Sequence, residues 1–499
     1  MPPTRRRLPS AVFQSPPKSS PPGREGLTPA TRIDQPGPFA PPGGLTTVNL
    51  ETLAWLAVAL VSVGARLISL DGNPLQPSET SLAMNSWRIF HGGDVMVGPS
   101  PLLTYANVVI FLTLGATDAS ARVLSAVCGV LVALSPWLLR EHLGKLASLA
   151  AALILATSPT LIFASRSVDS TSLTLALALG ILAALLRFFS TGRATYAYGT
   201  ALLLPPLLVS GPAAVTLVIV AVGYVIASGR IGMPKRKASE GTRTIDNPGS
   251  ESRPWAELPE DNQLSATRLR PLGLIVIVEY AILATALGTN LPGFGDSLAQ
   301  PLAVWAGSLS RGGLQSATLF PLVLLGYEPA AFVFGLVGAV LAFRRLRVFD
   351  QFLIWWAVIA TAVVVIGDGL NPVWYGVVLV PLALLAGRAV EDLWAAFADA
   401  DQRRRLLMYL AVTLPLLATT IIAAGNATLS DPNVPRWAAA APMLAIVIFS
   451  IGFGAYYRYQ AVLTSFAALT LCATLGLTIH AAMLLNPGGP LNPLSLIHI

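Results

Sequence analysis

The sequence predicts an all-α polytopic membrane protein, and three observations carry that expectation. Of its 499 residues 54% are hydrophobic and only 11% charged, the mean hydropathy is +0.66, and apolar runs long enough to cross a bilayer recur along almost the whole chain. The net charge of +7 does not point to nucleic acid. Lys and Arg sit in short clusters beside apolar runs, where they set orientation in a membrane. Cys128 and Cys472 fall inside apolar runs and read as small buried hydrophobes, with no disulfide framework and no metal site implied.

Residues 1–48 are rich in Pro, Gly and Ser, carry Arg5, Arg6 and Arg7, and read as a disordered cytoplasmic tail. No short apolar stretch with a small-residue cleavage site follows those arginines, so the run at 50–70 reads as a retained first helix. Further spans are expected at about 119–139, 146–164, 170–188, 195–210, 212–228, 271–290, 318–343, 351–367, 372–388, 406–425, 437–456 and 460–485, about thirteen with the first.

Charge bias orients these spans. With the N-terminus inside, the inner loops hold Arg140 and Lys145, then Arg187 and Arg193, then Lys235 to Lys237, then Arg344, Arg345 and Arg347, then Arg403 to Arg405. The outer loops hold only Arg88, Arg166, Arg311 and Arg436. The agreement requires the segment at 101–116 to lie along the outer surface, and its polar Thr104, Tyr105 and Asn107 suit an interfacial helix. The expected organisation is therefore the tail at 1–48, a first transmembrane module at 49–228, a flexible cytoplasmic loop at 229–270, a second module at 271–485, and an outer segment beginning at 486–499. That last stretch stops abruptly, as a truncated gene product would.

Two acids stand at outer helix ends. Pro77 and Ser78 open a helical pattern in which Ala83, Trp87 and Phe90 recur at i, i+4, i+7 opposite Ser81, Asn85 and Arg88, so this helix should lie flat on the bilayer. Glu79, in its first turn, either complements the helix dipole or serves a site. Asp169 precedes the apolar run at 170–188 and either caps that helix or serves a site. Arg166, Arg88 and Arg311, with His91 as a further donor, are candidates for an anionic substrate group, and each is equally explained by head-group anchoring. Glu328 lies inside an apolar run, where a charge is expensive and has a partner or a purpose, and it is a substrate-binding candidate that would face a lipid-carrier groove or else make a structural contact between helices. No Walker A loop, dinucleotide fingerprint or zinc spacing competes, and His91, His142, His480 and His498 are scattered.

The order of parts is more specific than any one of them. The runs QPSETSLAMNSWRIFHGGD, PLLTYANVVIFLTLGATDASARVLSAVCGVL and LREHLGKLASLAAALILATSPTLIFASRSVDSTSL resemble the opening of the polyprenyl-phosphate-sugar glycosyltransferases: the protein O-mannosyltransferases, the aminoarabinose transferases and, most closely, the archaeal-type flippase-associated group. The likeness covers about residues 50–190 and continues more weakly through WAGSLSRGGLQSATLFPLVLLGYEP and GDGLNPVWYGVVLVPLALLAG.

The resemblance implies a GT-C fold with interfacial helices in the first outer loop, and a catalytic acid in each of the first two outer loops. By position Asp169 matches the second-loop aspartate, and Glu79 the glutamate of a first-loop Asp-Glu pair. Ser78 stands where that pair has its aspartate, a departure, because serine is no base at neutral pH without a partner. Leu370 and Asn371 stand where related proteins often carry a basic residue.

The implied activity is transfer of a sugar, a mannose-like hexose or related one, from a polyprenyl phosphate to a protein or glycolipid acceptor on the outer face of the plasma membrane. Membrane lipid, the lipid-linked sugar and that acceptor would be the partners. No metal site and no cofactor beyond the lipid-linked sugar are expected, and the chemistry leaves room for a divalent ion. The alternative is a non-catalytic lipid-carrier handling or flippase-associated protein.

Overall fold

The computed structural model describes residues 50–68, 70–72, 74–93, 98–230, 266–311, 314–345, 347–367, 374–396, 400–429, 437–457 and 459–484. The expected tail, nearly all of the cytoplasmic loop, and the residues after 484 lie outside them. In chain order the helices are α1 (Leu50–Leu67), α2 (Pro77–Phe90), α3 (Pro101–Leu114), α4 (Asp118–Leu134), α5 (Arg140–Leu143), α6 (Lys145–Thr157), α7 (Pro159–Ser165), α8 (Thr171–Thr191), α9 (Ala194–Leu208) and α10 (Pro212–Arg230). They continue as α11 (Ala266–Ala284), α12 (Gly293–Arg311), α13 (Leu314–Tyr327), α14 (Pro329–Arg345), α15 (Val348–Ile366), α16 (Tyr375–Ala396), α17 (Ala400–Leu429), α18 (Trp437–Tyr457) and α19 (Tyr459–Leu484). Among the described residues there is no strand.

Helix length sets what can cross a membrane. By length and composition, among the described residues, four helices suffice (α1, α8, α15, and α4 with the short turn after it), or six if each bent pair is one span. This is fewer than the expected count of about thirteen. Several apolar helices fall short of the requirement, among them α3 and the described parts of α10, α18 and α19. The 14-residue α3 would reach only about 21 Å, against a hydrocarbon core of about 30 Å. The bent pairs are α6 with α7, at 62°, and α13 with α14, at 111°.

The main core centres on α16, whose residues from Tyr375 to Ala386 are nearly all buried, as expected for a helix apolar on every side. It lies against α6, α14 and α15. Glycine makes the closest approaches. A Cβ on Gly338 would run into the Leu385 carbonyl, one on Gly335 would come within 2.9 Å of the Leu382 carbonyl, and one on Gly387 would strike the Ala147 carbonyl. Without a strong hydrophobic drive inside a bilayer, such small-residue contacts let van der Waals packing hold helices together.

A buried ion pair fastens the end of the bundle remote from the start of α4. Arg388 lies 3.2 Å from Asp350 and donates to the carbonyls of His142 and Leu143. A second joint sits at the helix breaks. Arg66 of α1, fully buried, donates to the carbonyls of Leu155 (2.8 Å) and Ala156 (2.9 Å) at the end of α6. Across the same break, Glu328 Oε1 accepts from Ser158 Oγ (2.5 Å) and from Thr160 N (2.9 Å) at the start of α7. The cation thus sits on a helix C-terminus and the acid on an N-terminus, each matched to the helix dipole.

Candidate active site

The site is built where α2, the start of α4 and the α7–α8 turn meet. Glu79 lies in the first turn of α2 and is 4% exposed. Its Oε1 accepts from Arg122 Nε (3.1 Å) and Val168 N (2.8 Å), and its Oε2 from Arg122 Nη2 (2.7 Å) and Gln76 N (2.8 Å). Arg122, the fifth residue of α4, also donates to the carbonyls of Leu70 (2.9 Å) and Pro74 (3.2 Å). The bidentate geometry matches a planar guanidinium to a carboxylate, and the two backbone donors fill the remaining acceptor positions. Glu79 therefore clasps the first loop to the second, one residue before Asp169.

Asp169 closes the α7–α8 turn. Its Oδ2 accepts from Thr171 N at 2.6 Å and caps α8, while its carbonyl takes a hydrogen bond from Ser125 Oγ at 2.8 Å. Both readings of this residue meet here, since the capping carboxylate also lines a pocket. Burial raises its pKa above the ordinary aspartate value, the hydrogen bonds from Thr171 and Ser170 oppose the rise, and the nearby Glu79 charge adds to it. A base poised above the ordinary carboxylate range is the more effective proton acceptor.

The pocket has a volume of about 380 Å³, within the range of small-ligand sites. Ser78, Glu79 and Asp169 share its wall with Val304 of α12 and Trp374. Four helix N-termini open onto it: those of α2 at Gln76, α3 at Ser100, α8 at Ser170 and α10 at Pro212. Each presents backbone N–H groups and the positive end of a helix dipole.

The other candidates lie elsewhere. Arg166 Nη1 donates to the carbonyls of Ile68 (2.7 Å) and Ala65 (3.3 Å), so it closes the end of α1 and is not among the pocket-lining residues. Arg88 is exposed in the last turn of α2, roughly 13 Å along the helix from Glu79. His91 follows it, with Nδ1 2.9 Å from the Trp87 carbonyl and its ring 4.0 Å from that of Trp87. Glu328 belongs to the joint between the helix breaks. Arg311 ends α12, and its side chain lies outside the described residues, as do Gly312, Gly313, Leu370 and Asn371. Among the described residues, no group of three or more His, Cys, Asp or Glu comes together as a metal would need.

Several residues at the site were not singled out from sequence. Arg122 sits at the edge of an apolar run, and the cost of burying a charge there is the signal that marks it. Ser100 and Ser170 carry no such signal. Their positions become meaningful only when distant helix ends meet.

No protein-family model and no curated protein sequence matches this chain. Solved structures do match. One is ArnT from Cupriavidus metallidurans bound to undecaprenyl phosphate, at a TM-score of 0.50 and 18% identity, with 87% of this chain and 77% of that one covered. The fold is that of the GT-C membrane glycosyltransferases. A second match is the archaeal oligosaccharyltransferase AglB from Archaeoglobus fulgidus, in complex with an inhibitory peptide and a dolichol-phosphate, at a TM-score of 0.50 and 13% identity. It covers 90% of this chain, which spans 57% of that protein. At these identities the likeness concerns the GT-C fold.

Proposed function

We propose that this integral membrane protein is a glycosyltransferase that moves a sugar, a mannose-like hexose or a related one, from a polyprenyl-phosphate donor to a protein or glycolipid acceptor on the outer face of the plasma membrane, with its N-terminus in the cytoplasm. One observation carries the reading: in a GT-C fold, Asp169 stands with its carboxyl half-buried and its pKa raised, on a pocket ringed by helix N-termini. The acceptor nucleophile attacks the anomeric carbon and gives its proton to Asp169. The bond from that carbon to the phosphate oxygen breaks, and its electron pair leaves with the phosphate. Positive charge builds on the sugar and negative charge on the leaving group, so a carboxylate and a set of N–H and O–H donors stabilise opposite ends of the transition state. Glu79, paired with Arg122, keeps the two loops in register.

The test is transfer from a radiolabelled polyprenyl-phosphate sugar in membranes containing the wild type or Asp169→Asn. A fall of about 10²-fold or more is expected. Undiminished transfer by the variant would remove Asp169 from the chemistry.

A second reading, a lipid-carrier handling protein without transferase activity, is favoured by one observation: Ser78 lines the pocket where the resembled family has an aspartate. Ser78→Asp separates the two. Raised transfer supports the enzyme, whereas absent transfer in both proteins, with lipid phosphate still bound, supports the carrier-handling reading.

A further inference from the structure

Ser100 and Ser170 are 2% and 3% exposed, and both line the pocket. Among the described residues neither hydroxyl has a hydrogen-bond partner, and neither oxygen is among the fully enclosed unsatisfied ones, so both keep an opening onto the pocket. Both face the turn between α9 and α10. A Cβ on Gly211 would strike Ser170 Oγ and come within 2.9 Å of Ser100 Oγ, and the φ of +156° at Gly211 is one that side-chain-bearing residues rarely adopt. The turn is held on both sides: Leu102 N donates to the Val209 carbonyl at 3.2 Å, and Thr174 Oγ1 lies 2.7 Å from Ser210 Oγ.

The helix ends around these hydroxyls are not equally occupied. Asp169 caps α8, and Glu79 accepts from the Gln76 N–H at the start of α2. The N-cap of α3, Ser100, makes no side-chain capping bond, and α10 starts after Gly211, which has no side chain to cap with. Two N-termini thus face two buried hydroxyls across a glycine that lets them close in. Pro101 and Pro212 lack an N–H and Leu102 N is given to the Val209 carbonyl, so the arrangement offers the two hydroxyls, the next backbone N–H groups and a positive dipole field, the chemistry that recognises an anion.

We infer that Ser100, Ser170 and the N-termini of α3 and α10 form a cradle of neutral donors for the phosphate of the donor lipid, which is a diester while it carries the sugar and a monoester once the sugar has left. The inference rests on the lipid-phosphate reading above and specifies how the leaving group is held. Among the described residues no Lys or Arg lines the pocket: Arg166 is turned to the end of α1 and Arg122 to Glu79. Phosphate at the cradle would be bound by hydrogen bonds and helix dipoles.

The test is equilibrium binding to the full-length protein in lipid nanodiscs, with radiolabelled farnesyl phosphate as probe, farnesol as the lipid lacking the anion, and inorganic phosphate as competitor. Ser100→Ala and Ser170→Ala should each weaken farnesyl phosphate binding about tenfold or more, as expected for a hydrogen bond to a charged group, and leave farnesol binding unchanged. Unchanged farnesol binding also reports that the variants are folded.

If the double variant binds farnesyl phosphate as tightly as the wild type, the cradle is refuted and the transferase reading survives. If the wild type does not distinguish farnesyl phosphate from farnesol, both fall. Serine-dependent binding without any sugar transfer upholds the cradle and overturns the transferase reading. Competition by inorganic phosphate that disappears in the double variant upholds the cradle with free phosphate as a ligand in its own right.

Discussion

Arg122→Met should expose how much the clasp between the two outer loops is worth. The substitution keeps an unbranched apolar stem and removes the guanidinium bonds, among them two to Glu79, at 3.1 and 2.7 Å, and those to the carbonyls of Leu70 and Pro74. Glu79 would keep only the N–H groups of Gln76 and Val168 while remaining buried. Both side chains of the pair are 5 to 6% exposed, so solvent does little to compensate. Breaking such a buried pair from one side costs about 3–5 kcal/mol. Unfolding in mixed detergent micelles measures it, with Glu79→Gln and the double variant completing a cycle whose coupling should be on the order of 2 kcal/mol. A cost below about 1 kcal/mol for Arg122→Met, or strict additivity in the cycle, would refute the assignment of the clasp.

The remaining expectations use other parts of the molecule. The Asp169 pKa is raised, and the carboxylate form is the base, so activity should fall with decreasing pH through a limb lying above the ordinary aspartate value of 3.8. A profile of kcat/KM against pH checks this, and a limb at or below 3.8 contradicts it. Glu328→Leu strands the donors of Ser158 and Thr160 and should cost about 2 kcal/mol or more, while Glu328→Gln keeps an acceptor oxygen and should cost less. Equal costs in the same unfolding assay would sink that account of the joint. Gly338→Ala should force α14 from α16 and cost about 1–3 kcal/mol, while Gly452→Ala, with nothing within 4 Å of its added carbon, should be close to neutral.

Much of this organisation was legible in the chain. The helical membrane class followed from apolar runs, and the GT-C fold from the order of motifs around Glu79 and Asp169. Those two acids do line one pocket. What remained hidden depends on contacts between residues far apart in sequence. Arg166, three residues before Asp169, invited a site role, yet the end of α1 offers it carbonyls that need a donor. Glu328 invited a place in a lipid groove, yet the break after α6 leaves Ser158 and Thr160 wanting an acceptor. The count of spans was less legible, because periodicity finds apolar helices without saying where the chain bends, as it does at Ser158 and Glu328. Ser100 and Ser170 could not be found at all, since a serine beside a helix reads as a cap wherever it occurs.

The composition of the pocket wall also bears on how the protein is made. Its floor comes from residues between Gln76 and Ala213, but Val304 and Trp374 close its side. Ribosomes extend the chain at roughly 5–20 residues per second, so Asp169 reaches the membrane on the order of ten seconds or more before Trp374 is synthesised. During that interval the pocket lacks the part of its wall that Val304 and Trp374 supply. The four helix ends are thus made well before the residues that complete the cavity, and whatever order they hold until then comes from contacts within the first part of the chain, the clasp of Glu79 and Arg122 foremost.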